Sequence, residues 1–127
     1  MEESSFCVGH HNGFQHLSVE GFDDQFDVGI KFQKQELSTF SVEPNSGTKV
    51  WYGPILVVYV SVVHRASGQG LSTLRYASDC SRWASYLGPD LGDQEKLLDL
   101  ALPHMKADLE LLKAGGQPNS LKEIVML

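Results

Sequence analysis

Residues 55–63, with the sequence Ile-Leu-Val-Val-Tyr-Val-Ser-Val-Val, are strongly apolar and dense in β-branched side chains. A half-buried strand alternates apolar and polar residues, whereas this segment is apolar on both faces. Such a pattern predicts a central β-strand that is covered on both sides. The rest of the chain must therefore supply neighbouring strands and a covering layer for these residues.

The chain on either side of this segment predicts further strands. Residues 26–32 alternate apolar and polar side chains without interruption, which predicts a half-buried strand with Asp27, Gly29 and Lys31 facing outward. Residues 38–42 predict a weaker strand that closes at Pro44, and residues 71–76 predict a strand that returns along the central one.

Asn12-Gly13 predicts a β-hairpin that joins residues 6–11 to residues 14–19, because both turn residues tolerate the positive φ of a type I′ turn. Its register places Leu17 and Val19 on a core face and places three potential metal ligands together on the other: Cys7, His11 and His16. With an added carboxylate, these three could bind Zn²⁺. Histidines near a hairpin tip are more often solvated, so we predict a polar face and assign no metal or cofactor.

After residue 77 the periodicity becomes helical. Three helices are predicted: a short one from Ser78 or Asp79, a longer one from Asp93 to Gly115-Gly116, and a last one opened by the capping box of Ser120 and Glu123. The apolar stripe expected on the longer helix is Leu98, Leu102, Leu109, Leu112 and Met105. Pro103 should kink this helix or split it in two.

This order of elements predicts an α+β fold in a single domain spanning residues 1–127. We expect an antiparallel sheet of about five or six strands from residues 5–76, covered on one face by helices from residues 78–126. Strands followed by helices argue against a doubly wound nucleotide-binding sheet, in which the two alternate.

Acidic residues are concentrated near the start of the chain. The first 43 residues hold eight of the 16 acids but only two of the ten bases. Like charges repel one another, so this density is better explained by what the surface must bind or avoid than by folding. Four of these acids fall in or beside the loop before residues 26–32: Glu20, Asp23, Asp24 and Asp27. They predict a surface that docks a basic protein partner.

Other partners and compartments are less consistent with the sequence. A nucleic-acid-binding protein needs a basic stripe, whereas this chain has a net charge of −6. No apolar run approaches the ~20 residues needed to cross a membrane. The first residues carry two acids in place of a basic signal region, and Cys7 and Cys80 are far apart, as expected for free thiols. We therefore expect a cytoplasmic protein with no membrane or nucleic-acid partner.

Several other side chains are candidates for function. Trp51 and Tyr52 could anchor a protein interface, although large aromatic residues are more often buried in the core. His64 and Arg65, at the end of the central strand, could act as a catalytic base or bind an anion, but no nucleophile motif accompanies them.

We therefore favour a small acidic protein-binding module that is not an enzyme. On composition alone, such a chain resembles in a general way the immunity proteins that neutralise nuclease toxins. One alternative is a small enzyme or ligand-binding protein with a pocket between sheet and helices, using His64 or the face of Cys7, His11 and His16. Another is a structural subunit whose acidic face keeps it soluble.

Overall fold

The computed structural model describes residues 13–36, 39–42, 47–50, 54–79 and 91–124. Within these ranges the elements are, in chain order, β1 (Gln15–Leu17), β2 (Phe26–Glu36), β3 (Thr39–Val42), β4 (Gly47–Val50), β5 (Pro54–His64), β6 (Gly70–Asp79), α1 (Leu91–Lys113) and β7 (Leu121–Glu123).

Five of the strands form one sheet in the order β1-β2-β5-β6-β7. The pairs β1-β2, β2-β5 and β5-β6 are antiparallel, whereas β6 and β7 are parallel. Strands β3 and β4 pair with each other in a separate two-stranded sheet. With α1 packed on the larger sheet, the predicted α+β arrangement is confirmed.

Strand β5 is the centre of this sheet, as the apolar segment predicts. Val60 pairs with Ile30 of β2 on one side and with Leu74 of β6 on the other. Its even-numbered neighbours, Val58 and Val62, lie in the core that α1 covers. Ile55 and Val57 point to the opposite face and are fully buried in a second cluster with Ala77 and Leu121. Both faces of β5 are therefore covered at this end of the strand.

Helix α1 lies on the sheet as expected, but its buried stripe is rotated from the predicted one. Four fully buried side chains form the centre of the stripe: Leu97, Ala101, Met105 and Leu109. Leu98, Leu102 and Leu112 pack at its margins and are only partly buried. The pattern of leucines overlooked Ala101, which is fully buried.

The ends and the proline of α1 also differ from expectation. The helix begins at Leu91, so Asp93 lies in its first turn and is not its cap. It continues through Pro103, which is exposed, and is therefore not split in two. Its end is as predicted: Gly115 has a φ of 87°, and its amide donates to Leu112 O while that of Gly116 donates to Leu111 O.

The starts predicted for the first and the last helix are wrong. Ser78 and Asp79 belong to β6, because β5 is long enough to pair with them through Leu56 and Ile55; residues 80–90 lie outside the described residues. The capping box at Ser120 opens β7 instead of a helix, since burial of Leu121 and Ile124 against the sheet outweighs a local signal.

The N-terminal strands follow the prediction in part. Gly13 has a φ of 92°, and β1 begins two residues later, but Asn12 and residues 6–11 lie outside the described residues. Leu17 and Val19 pack in the core and His16 is exposed, so the predicted separation of faces is confirmed for the second strand of the hairpin alone. Residues 26–32 form β2 as predicted, except that Asp27 and Gly29 are buried and do not face water.

A buried carboxylate joins α1 to the last two strands of the sheet. Asp108 accepts hydrogen bonds from the Tyr76 hydroxyl of β6 at 2.5 Å and from Lys122 Nζ of β7 at 2.6 Å. Tyr76 is fully buried, and burial together with this bond to a carboxylate raises its pKa above the usual range. The network thus holds the parallel strand β7 beneath the helix and satisfies a charge that would otherwise be costly to bury.

The raised pKa of Tyr76 predicts an alkaline loss of stability. The unfolded chain ionises this tyrosine near pH 10 while the folded chain keeps it neutral, so its contribution is complete below pH 10 and declines as the pH rises further. We expect Tyr76→Phe to destabilise the fold by about 1–3 kcal/mol at pH 8 and to flatten this decline. Urea unfolding between pH 8 and pH 11 measures both. Tyr59→Phe is the matched control. If Tyr76→Phe left the decline of stability above pH 10 unchanged, Tyr76 would not be its cause.

Candidate functional site

Three of the four acidic residues predicted from the sequence, Glu20, Asp23 and Asp24, lie in one loop, residues 18–25, which we call the acidic loop. The fourth, Asp27, follows it in β2. The loop connects β1 to β2 and ends beside the turn that follows β5. Its position is set by the antiparallel pairing of β2 with β5, which aligns Phe26 with His64 and Asp27 with Val63.

The backbone of the acidic loop is held by its own hydrogen bonds. The Phe22 amide donates to Val19 O at 3.0 Å, and the amides of Gln25 and Phe26 both donate to Phe22 O. Gly21 has a φ of 92°, a conformation that other residues rarely adopt. The Phe22 side chain is buried, with its ring stacked 6.5 Å from that of Phe26. The loop is therefore anchored in the core rather than loosely attached.

Asp23 is a structural residue of this loop. Its carboxylate accepts a 2.5 Å hydrogen bond from Ser18 Oγ and a 2.9 Å bond from the Val19 amide. The Ser18 bond is the main cause that lowers the pKa of Asp23; partial burial opposes it, while the Val19 amide and the charges of His16 and Arg65 assist it. The carboxylate thus closes the loop by satisfying donors at its start.

Arg65 joins the acidic loop to the end of β5. Its Nε donates to Asp23 O at 2.8 Å, and its guanidinium forms a 2.9 Å ion pair with Asp27. Its backbone amide donates to Gln25 O at 2.8 Å. The Asp27 side chain is only 12% exposed, so Arg65 neutralises a charge that is largely removed from water.

The four predicted acids therefore divide into two pairs. Asp23 and Asp27 are bonded to other residues of the fold and hold the loop, whereas Glu20 and Asp24 are exposed. Arg65 was a candidate for binding an anion, and its role in holding this loop was not predicted. The sequence carried no signal for this role, because only the structure pairs Asp27 with Val63, two residues before Arg65. Trp51 and Tyr52 lie outside the described residues.

His64 takes part in a local turn. Its Nδ1 lies 3.1 Å from Ser67 Oγ, and that oxygen also accepts a 3.2 Å bond from the Gln69 amide. The His64 amide donates to Gln69 O, and Gly68 closes the turn with a φ of 73°. All of these contacts fall within six residues. His64 therefore has a structural role in the turn that connects β5 to β6.

The other sites considered from the sequence have different surroundings. The space between α1 and the sheet, where a pocket would lie, is filled by fully buried side chains including Leu97, Met105 and Tyr76. His16 is exposed, while Cys7 and His11 lie outside the described residues. Across the described ranges, no three histidine, cysteine, aspartate or glutamate side chains are grouped as metal ligands would be.

Comparison of the chain with protein-family models, with curated proteins and with solved structures finds no significant match. In the portion that the structure describes, no helix is both long enough and apolar enough to span a membrane.

Because only some of the acids hold the loop, substitutions at two adjacent residues should differ in their effect on the free energy of unfolding. Asp23→Asn should destabilise the fold by about 1 kcal/mol at pH 7, because it weakens two hydrogen bonds to a carboxylate. Asp24→Asn, the matched control, should change stability by less than about 0.5 kcal/mol. Chemical unfolding of both variants measures the difference.

The pH dependence provides an independent check. Because the folded state lowers the pKa of Asp23, its contribution is present above pH 4 and is lost as the pH falls through the folded value. Asp23→Asn and the unmodified chain should therefore converge in stability in acid. Equal effects of the two substitutions at pH 7 would show that Asp23 does not hold the loop.

Proposed function

We propose that this chain is a protein-binding module whose acidic loop docks a basic protein partner through Glu20 and Asp24. One observation carries the proposal. Asp23, with Arg65 from the end of β5, holds the backbone of the loop, whereas Glu20 and Asp24 remain exposed. Negative charge on such a surface attracts a basic partner during diffusion and favours correct orientation.

The fixed backbone of the loop supports this function over a purely solubilising one. A flexible loop pays a conformational entropy cost when it binds, whereas a loop already held by hydrogen bonds pays less. Solubility requires only charge, and it does not require that the charged residues be held in one conformation. We also place the interaction in the cytoplasm, on the sequence evidence of two widely separated cysteines. Trp51 and Tyr52 remain candidate aromatic anchors on sequence grounds.

The proposal is tested by two double variants that remove the same charge from different places. Glu20→Gln with Asp24→Asn removes two exposed acids of the loop, and Glu95→Gln with Asp99→Asn removes two exposed acids of α1. Binding of each to a peptide of lysine and glycine repeats is measured by stopped-flow at several salt concentrations. We expect the loop variant to associate several-fold more slowly and with a weaker salt dependence, and the α1 variant to resemble the unmodified chain.

Two results would contradict the proposal. If both double variants slow association equally, the peptide responds to net charge and the acidic loop has no special role. If neither does, Glu20 and Asp24 do not contact a basic partner. Thermal unfolding of the two variants should be nearly unchanged, because all four side chains are exposed.

A further inference from the structure

A row of alternating aromatic and cationic side chains crosses the sheet on the face opposite α1. The register aligns Lys31 of β2 with Tyr59 of β5 and Tyr59 with Arg75 of β6. Phe14 lies next to this line, with Lys31 Nζ 4.9 Å from the centre of its ring. Val58 and Val60 point to the α1 side, so Tyr59 between them points away from it. We call these residues, Phe14, Lys31, Tyr59 and Arg75, the cation–aromatic row.

The environment of this row differs from that of the acidic loop. All four side chains are half-buried, and Tyr59 packs at the edge of the second apolar cluster. One adjacent row consists of His16, Gly29, Ser61 and Thr73 and has no acid, whereas the other consists of Gln33, Val57, Ala77 and Glu123 and has one. In a chain with a net charge of −6, the cation–aromatic row itself carries two cations and no acid. The sheet thus collects bases that are dispersed along the sequence.

Arg75 is the unusual member of the row. Within the described part of the chain, its guanidinium makes no hydrogen bond or ion pair, although its backbone amide donates to Ser120 O. The charged side chains that are more deeply buried, Asp27 and Asp108, are both paired with bases. A guanidinium that no described residue engages is available to bind an anionic ligand.

We propose that the cation–aromatic row binds a phosphate ester of a small aromatic compound, of which a nucleoside monophosphate is the simplest example. A guanidinium presents a planar fork that matches phosphate oxygens, and Lys31 supplies a second positive charge. Lys31 and Arg75 are two strands apart, about 10 Å across the sheet, with the Tyr59 ring between them. A ligand with both an anion and a ring can contact these three side chains together. This site is independent of the acidic loop.

The test compares three probes on the full chain: adenosine monophosphate, adenosine and inorganic phosphate. We expect binding of adenosine monophosphate, measured by calorimetry and by shifts of the Tyr59 and Thr73 amide resonances. Adenosine and inorganic phosphate should each bind at least about tenfold more weakly, because each lacks one half of the contacts. Equal binding of adenosine would overturn the role of the cations, and equal binding of phosphate would overturn that of the ring. No binding of any probe, or binding of a glutamate-rich peptide in its place, would overturn the proposal.

Variants of Arg75 separate a binding role from a structural one. Arg75→Gln should weaken binding of adenosine monophosphate about tenfold or more, and Arg75→Lys should weaken it less. Lys106→Gln, on the exposed surface of α1, makes the same charge change and should leave binding unchanged. Without ligand, Arg75→Gln should be as thermally stable as the unmodified chain, since the substitution breaks no side-chain pair among the described residues. Marked destabilisation would show that Arg75 serves the fold, and it would overturn the proposal.

Discussion

The pairing of β5 with β2 and β6 is the constraint on which the rest of the structure depends. This strand has a neighbour along each edge, and its side chains fill the core beneath α1 on one face and a second cluster on the other. Shifting its register by one residue would exchange these two faces and expose valines to water. The apolar character of residues 55–63 therefore fixes both the place of the strand and its alignment.

That alignment also determines where the charges lie. Because Val63 pairs with Asp27, the chain leaves β5 beside the acidic loop, and Arg65 reaches both Asp27 and the carbonyl of Asp23. The same register brings Lys31 and Arg75 to either side of Tyr59. The chain thus carries an exposed acidic loop at the end of the sheet and a cationic row across the face opposite α1. Two surfaces of opposite sign can bind different classes of ligand.

Much of the sheet could be predicted from local sequence, and the exceptions have a common cause. The alternation of residues 26–32 and the apolar segment at residues 55–63 are strong signals for strands, because both patterns follow directly from which side chains are buried. Strand β7 was predicted as a helix, since Ser120 and Glu123 have a capping pattern while its pairing with β6 depends on residues more than 40 positions away. The stripe on α1 was misplaced because alanine gives a weaker signal than leucine, although Ala101 is fully buried.

Local sequence was also insufficient to predict the roles of the acids in the acidic loop. Its acids were identified from charge density, but the sequence could not show which of them were engaged within the fold. That distinction rests on Arg65, which is 42 residues from Asp23 in the chain. It also rests on Ser18, whose bond to Asp23 forms only when the loop has closed.

Hydrogen exchange in Arg65→Gln tests most directly whether the end of β5 holds the acidic loop in place. The amides of Phe22 and Gln25, bonded within the loop, should exchange at least about tenfold faster than in the unmodified chain, while those of Val58 and Val60 in β5 keep their protection. Unchanged exchange at Phe22 and Gln25 would contradict the account, because the loop would then hold its shape without Arg65.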